Sequence, residues 1–183
     1  MYCGNNKIAL ASQKQIMDAL MRLLKEKKFS DITVSQLCKE AEVSRQTFYS
    51  LYESKENVVK DLIAACQYDP EAAHTAHGSC CQEGSASTVF SSFGRYLSLH
   101  RDLMQMLSDN DILYLLYQSL YSAIIGCEFF LHDEQKRERE YAANFIAGGF
   151  TGIATAYVNC GTEDIPEYLE REINLLFRGN YLK

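Results

Sequence analysis

Apolar residues recur at helical spacing along most of the chain. Ile16, Leu20, Leu23 and Leu24 fall at i, i+4, i+7 and i+8, with Lys14, Arg22, Lys25 and Glu26 mostly on other faces. That pattern predicts an amphipathic helix over 8–27. Phe29-Ser30-Asp31-Ile32 then reads as a corner. Thr33-Val34-Ser35-Gln36 has the form of a capping box, in which the Thr33 hydroxyl takes the Gln36 amide and the Gln36 side chain returns to the Thr33 amide. The short helix it opens runs to about Ala41 and turns Val34, Leu37, Cys38 and Ala41 inward. Ser44 is a second N-cap, for a two-turn helix over 45–50. Ser54 caps a third start, with Glu56 where the helix dipole favours a negative charge and with Val58, Val59, Leu62 and Ile63 inward to about Gln67.

The second half reads as longer helices, near 88–107, 110–131, 135–160 and 164–178. Asp164-Ile165-Pro166-Glu167 opens the last one, with an Asp cap, Pro in the first turn and Glu at the third helical position. Between the halves, residues 69–88 lack periodicity, and a connection of that length is expected to be a mobile inter-domain loop. The chain therefore divides at about residue 66 into a small head (1–66) and a body (67–183). Two prolines and ten glycines in 183 residues fit an all-α protein rather than a many-turned β fold.

Charge sharpens that division. The chain carries a net charge of −6, which on its own speaks against nucleic acid. Residues 1–66, however, hold ten Lys/Arg against eight Asp/Glu, so a mildly basic head sits on an acidic body. No apolar leader follows Met1, and seven cysteines scattered from Cys3 to Cys160 do not form a small-scaffold disulfide pattern. Reduced thiols in a cytoplasm are the expectation. Tyr114–Leu131 is interrupted by Gln118, Ser119 and Glu128, and Phe145–Val158 is shorter than the roughly 20 residues of a membrane span.

Residues 33–52 have the geometry of a helix-turn-helix, in which one helix braces the next and the second presents polar side chains to base edges. Arg45 can pair with guanine and Gln46 with adenine, while Thr47 can offer its hydroxyl or its methyl to a base. Phe48 is the one apolar anchor available to that helix. Tyr49 and Lys55 are placed to hold phosphates, near the backbone amides of residues 54–56.

The run Phe29-Ser-Asp-Ile-Thr-Val-Ser-Gln-Leu-Cys-Lys-Glu-Ala-Glu-Val-Ser-Arg-Gln-Thr-Phe-Tyr-Ser-Leu-Tyr-Glu-Ser-Lys-Glu-Asn-Val resembles the DNA-binding head of the tetracycline-repressor (TetR) family of bacterial regulators, over roughly residues 8–66. The resemblance implies an N-terminal three-helix helix-turn-helix domain and a C-terminal helical bundle that binds a small-molecule effector and dimerises. It puts Thr33, Ser35, Tyr49 and Lys55 on backbone-contacting positions. Arg45, Gln46, Thr47 and Ser50 fall on the face of the recognition helix turned to DNA, behind Ser44 at its cap. The family usually has Gly in the turn where this chain has Glu42, which implies a positive φ there. It also often has His and an aromatic where this chain has Ser50, Leu51 and Tyr52.

In the body, the implied partners are a second copy of the chain and an effector, and no cofactor is called for. Ala143, Ala147, Gly148, Gly152 and Ala156 place small residues near one helix face, with Phe145 and Gly149 in the same run. With Leu169, Ile173, Leu176 and Phe177 of the last helix they read as half of a four-helix dimer interface. An intrachain core is the competing reading. Phe93, Tyr96, Leu97, His100, Met104, Tyr117 and Tyr121 read as an adaptable apolar pocket with a polar group at His100, and equally as plain core.

A rival signal is His74-x-x-His77-x-x-Cys80-Cys81, whose two imidazoles and two thiols suit zinc or a soft metal, or thiol-redox sensing. Control by a protein partner is a further alternative. Against an enzyme, the chain lacks Gly-x-Gly-x-x-Gly, a phosphate-binding loop, His-Glu-x-x-His and Gly-x-Ser-x-Gly.

Overall fold

The protein is described from a computed structural model, over residues 7–66, 86–126, 136–160 and 166–177. All regular structure among these residues is helical. The chain separates into two compact units, Met1–Ala65 and Cys66–Lys183.

In the first unit, α1 (Lys7–Glu26) is followed by a 3₁₀ turn (Phe29–Asp31), α2 (Val34–Glu40), α3 (Arg45–Leu51) and α4 (Lys55–Cys66). Each expected helix of the head is present within one or two residues of its expected ends. Ile16, Ala19, Leu20, Leu23 and Leu24 bury the apolar stripe of α1, and Leu37, Cys38, Phe48, Val58, Val59 and Ile63 close the core from the other helices. The helix starts follow local rules. Gln36 N donates to Thr33 Oγ1 (3.3 Å) and Thr33 N donates to Gln36 Oε1 (3.0 Å), completing the capping box. At α3, Thr47 N donates to Ser44 Oγ (2.9 Å).

The end of α2 explains Glu42. Val43 N donates to Cys38 O (3.0 Å) and Glu42 N to Lys39 O (3.3 Å), the paired bonds of a Schellman motif. The motif requires a left-handed residue, and Glu42 supplies it at φ 55° without the freedom of glycine.

The second unit contains α5 (Ala86–Leu99), α6 (Arg101–Asp109), α7 (Tyr114–Ile125), α8 (Lys136–Asn159) and α9 (Pro166–Phe177). Helix α9 packs along α5, and α8 along α7 with further contact to α6. The single helix expected over 88–107 is broken at His100, whose backbone (φ −117°, ψ 32°) leaves the helical region and starts α6 afresh. Helix α6 ends in a second Schellman motif, with Ile112 N on Leu107 O (2.9 Å), Asp111 N on Ser108 O (3.0 Å) and Asp111 at φ 58°. The turn after Asp111 delays α7 to Tyr114, later than the expected start at 110.

Aromatic and cationic contacts knit this unit. The Phe93 and Phe150 rings lie 4.2 Å apart between α5 and α8, and the Arg101 guanidinium lies 5.5 Å from the Tyr157 ring centre between α6 and α8. Arg139 Nη2 donates to Ile125 O (3.2 Å), closing an orphan carbonyl at the end of α7. No helix of the described residues is long and apolar enough to cross a membrane.

Candidate nucleic-acid interface

Seven residues make α3, and they divide cleanly by face. Phe48 is fully buried and anchors the helix, with Tyr49 edge-on to it (5.4 Å between ring centres) and Tyr52 tilted against it (5.8 Å). Arg45, Gln46, Tyr49 and Ser50, at helical spacing i, i+1, i+4 and i+5, are all exposed on the other side. Ser35 on α2 is exposed too, and Arg45 Nη2 donates to its Oγ, so the first side chain of α3 reaches back onto α2.

Four of the expected interface residues have internal duties. Ser44 and Thr33 are the caps of α3 and α2, and the Ser44 and Thr47 hydroxyls also share a hydrogen bond (2.9 Å). Ser50 Oγ donates to Thr47 O (2.7 Å) within α3.

Lys55 departs from its expected role. Its ammonium donates to Phe29 O (2.5 Å), Ile32 O (2.8 Å) and more weakly Ser30 O (3.5 Å), and it sits 4.3 Å from the centre of the Phe29 ring. Three donors directed at main-chain carbonyls, with an aromatic face alongside, make it a clamp between the start of α4 and the 3₁₀ turn rather than an open phosphate ligand. A second tie, the Arg22 Nε–Glu40 Oε1 ion pair (2.7 Å), links α1 to α2 on the surface.

Beneath α3 lies a polar cluster that the sequence reading passed over. Gln13, Tyr52 and Asp61 come from α1, the end of α3 and α4, and all are buried. Burial, then the adjacent Asp61 carboxylate, pushes the Tyr52 phenol well above its usual pKa, and Gln13 acts in the opposite direction. Burial also raises the pKa of Asp61, partly offset by Tyr52. The sequence did carry a signal. Gln13 lies three residues before Ile16 and Asp61 three after Val58, so both occupy positions in apolar stripes. Cys38, buried on α2, has its thiol raised by burial against the lowering pull of Arg45.

Residues 16–62 match the family described as "Bacterial regulatory proteins, tetR family". Over that span the head, with its helix-turn-helix, is similar to the TetR family. Two curated relatives agree with that similarity. The HTH-type transcriptional regulator EthR of Mycolicibacterium smegmatis is 48% identical over 48 residues, 26% of this chain. YxbF of Bacillus subtilis, an uncharacterized HTH-type transcriptional regulator, is 27% identical over 90 residues, 49% of this chain. These matches span about a fifth of each relative, 22% and 20% of their lengths. The solved structure of Lin0861 from Listeria innocua superposes with a TM-score of 0.77, covering 98% of this chain and 96% of that one at 15% identity. That likeness shows a shared all-helical fold that extends through the body.

In the body, the expected pocket residues fall into two groups. Phe93, Tyr96, Leu97 and Met104 are buried, with Phe93 and Tyr96 rings at 6.1 Å and Tyr96 and His100 rings at 5.1 Å. Phe150 joins them through its ring contact with Phe93, and Tyr157 is buried against the Arg101 guanidinium. Tyr117 and Tyr121 stack at 6.3 Å on α7, half-exposed, and the Tyr117 hydroxyl donates to Asn144 Oδ1 of α8.

The small-residue series on α8 is split between two faces. Ala143 and Ala147 are fully buried within the chain, whereas Tyr141, Phe145, Gly148, Gly152 and Ala156 are exposed and Gly149 is half-exposed. A Cβ added at Gly148 or Gly152 would meet open space. On α9, Leu169 and Ile173 are buried inside the protomer, so they belong to its own core; Tyr168, Leu175 and Leu176 are the exposed apolar residues described there. His74, His77, Cys80 and Cys81 lie outside the described residues, and no group of three or more His, Cys, Asp or Glu able to hold a metal occurs among the described ones.

Proposed function

We propose that this chain is a ligand-responsive repressor that binds a palindromic operator as a homodimer. One observation carries the DNA reading: Arg45, Gln46, Tyr49 and Ser50 share the exposed face of α3, with Ser35 beside them and Phe48 fully buried behind. Arg and Gln at the start of a recognition helix are the side chains that read guanine and adenine in the major groove. Tyr49 suits the phosphates that fix register.

Dimerisation is supported by α8. Its outward face exposes Phe145 to 70% and Tyr141 to 66%, beside two glycines that no part of the described chain requires to be small. Apolar surface next to glycines invites another helix to approach closely. A two-fold dimer would set two recognition helices about 34–36 Å apart and read a two-fold site. The aromatic and methionine side chains around Phe93, Tyr96, Met104 and Phe150 suit a flat or lipophilic effector, with His100 and Arg101 as polar partners. An effector that favours protomers with mis-spaced heads needs a preference of only about 1–3 kcal/mol to release the operator usefully.

The test is to select genomic fragments with the purified full chain and sequence what is retained. A two-fold motif is expected among the bound fragments. Salt-sensitive retention with no enriched motif would overturn the reading.

A further inference from the structure

We infer that Ser35 is a positioning residue for Arg45, holding its guanidinium on the line from which it reads a guanine. The inference rests on the reading of α3 as the recognition helix. Position alone would give Ser35 a phosphate, since it stands exposed in the first turn of α2. Its hydroxyl oxygen is instead engaged by Arg45 Nη2 across the gap between α2 and α3. Arg45 is the first residue of α3, where a side chain leans back over the preceding turn, and there it meets α2 at Ser35. Cys38, one turn on from Ser35 along α2, senses the same guanidinium.

The geometry has a chemical consequence. Arginine has a long, rotamer-rich stem and a planar fork of five N–H donors, and it recognises guanine by presenting two of them together to O6 and N7. A single hydrogen bond to Ser35 removes stem freedom before DNA arrives and leaves four donors for the base. Binding then requires less ordering of Arg45, and the fork's plane is set by α2 rather than by the base it meets. Ser35 thereby acts on specificity without touching a base.

The experiment compares the full chain with Ser35→Ala, Ser35→Thr, Arg45→Ala and the Ser35→Ala/Arg45→Ala double variant. Each is titrated against the selected operator and against copies with each guanine of the half-site replaced in turn. Alanine is a better helix former than serine, so Ser35→Ala is expected to fold and its circular dichroism checks that directly. Arg45→Ala should flatten the preference at one guanine by about tenfold to a hundredfold. Ser35→Ala should flatten the preference at that same guanine by about threefold to tenfold, leave the dependence on salt unchanged and add nothing in the Arg45→Ala background. Ser35→Thr, which retains the hydroxyl, should restore the preference.

A Ser35→Ala loss that is equal for all sequences, persists without Arg45 and flattens the salt dependence would make Ser35 a phosphate contact and overturn the inference. If Arg45→Ala flattens no base while the motif itself is intact, Arg45 is not a reader, and the inference falls on that separate ground.

Discussion

The head and the body are held by different kinds of contact. In the head, short helices start and stop at polar devices between near neighbours: the Thr33–Gln36 box, the Ser44 cap and the Schellman turn at Glu42. Longer polar ties then join these helices, Lys55 to the 3₁₀ turn and Arg22 to Glu40. In the body, long helices meet through rings and aliphatic faces, such as Phe93 on Phe150 and Arg101 on Tyr157, and a substantial apolar face on α8 is left outward. A head built this way fixes a few exposed side chains at set angles. A body built from apolar faces suits the effector and the second copy proposed above.

The comparison breaks first at Phe48. As the fully buried anchor of a seven-residue helix, it has no local substitute. Phe48→Ala is expected to destabilise the head by about 3–5 kcal/mol, a typical cost for a buried phenylalanine. Operator binding should vanish at temperatures where far-ultraviolet circular dichroism still reports most of the body's helix. One shared transition, lowered as a whole, would show that the two units do not differ in the way described.

Lys55 is the next largest test. Lys55→Met keeps the stem against Phe29 but removes the ammonium from three carbonyls, and should cost about 1–3 kcal/mol of head stability. The dependence of operator affinity on salt should not change once the protein is folded. A salt slope reduced by about one would return Lys55 to the phosphate role that its position in the sequence suggests.

These two residues also show what the sequence reveals and what it hides. Phe48 was legible because one apolar residue in an otherwise polar two-turn helix has a single possible use. Caps were legible because their partners lie three residues away. The carbonyl contacts of Lys55 were not legible, since nothing in the spacing says that the carbonyls of Phe29 and Ile32, more than twenty residues earlier, converge on it. In the body the same limit applies more widely. Leu169 and Ile173 have the spacing of an outward stripe, yet which helix covers them is a tertiary fact. So is the break at His100, where the apolar spacing on either side gives no stop signal. The split of the α8 small residues into buried Ala143 and Ala147 and exposed Gly148, Gly152 and Ala156 was likewise invisible to a pattern that treats all of them as small.

Glu42 sharpens the account of the head by a gain rather than a loss. Its φ of 55° is one that glycine adopts freely and a side-chain-bearing residue adopts at a cost. Glu42→Gly is expected to stabilise the head by up to about 1 kcal/mol, seen as a higher denaturation midpoint at unchanged slope. No gain, or a loss, would mean that the carboxylate makes up for the strained backbone.

Gly148 carries the smallest effect and separates two explanations for a glycine in mid-helix. A Cβ there meets open space, so within one protomer Gly148→Ala should stabilise α8 by about 0.5–1 kcal/mol, the ordinary helix preference for alanine. If a second copy packs on this face, the added methyl pushes the two helices apart and the gain is reversed in the assembly. The variant should then be more stable than the parent at high dilution and less stable at high concentration, with a weaker dimer by sedimentation equilibrium. A gain that is the same at every concentration would place the interface elsewhere. The exposed α8 face at Tyr141 and Phe145 would then lie outside the contact between copies.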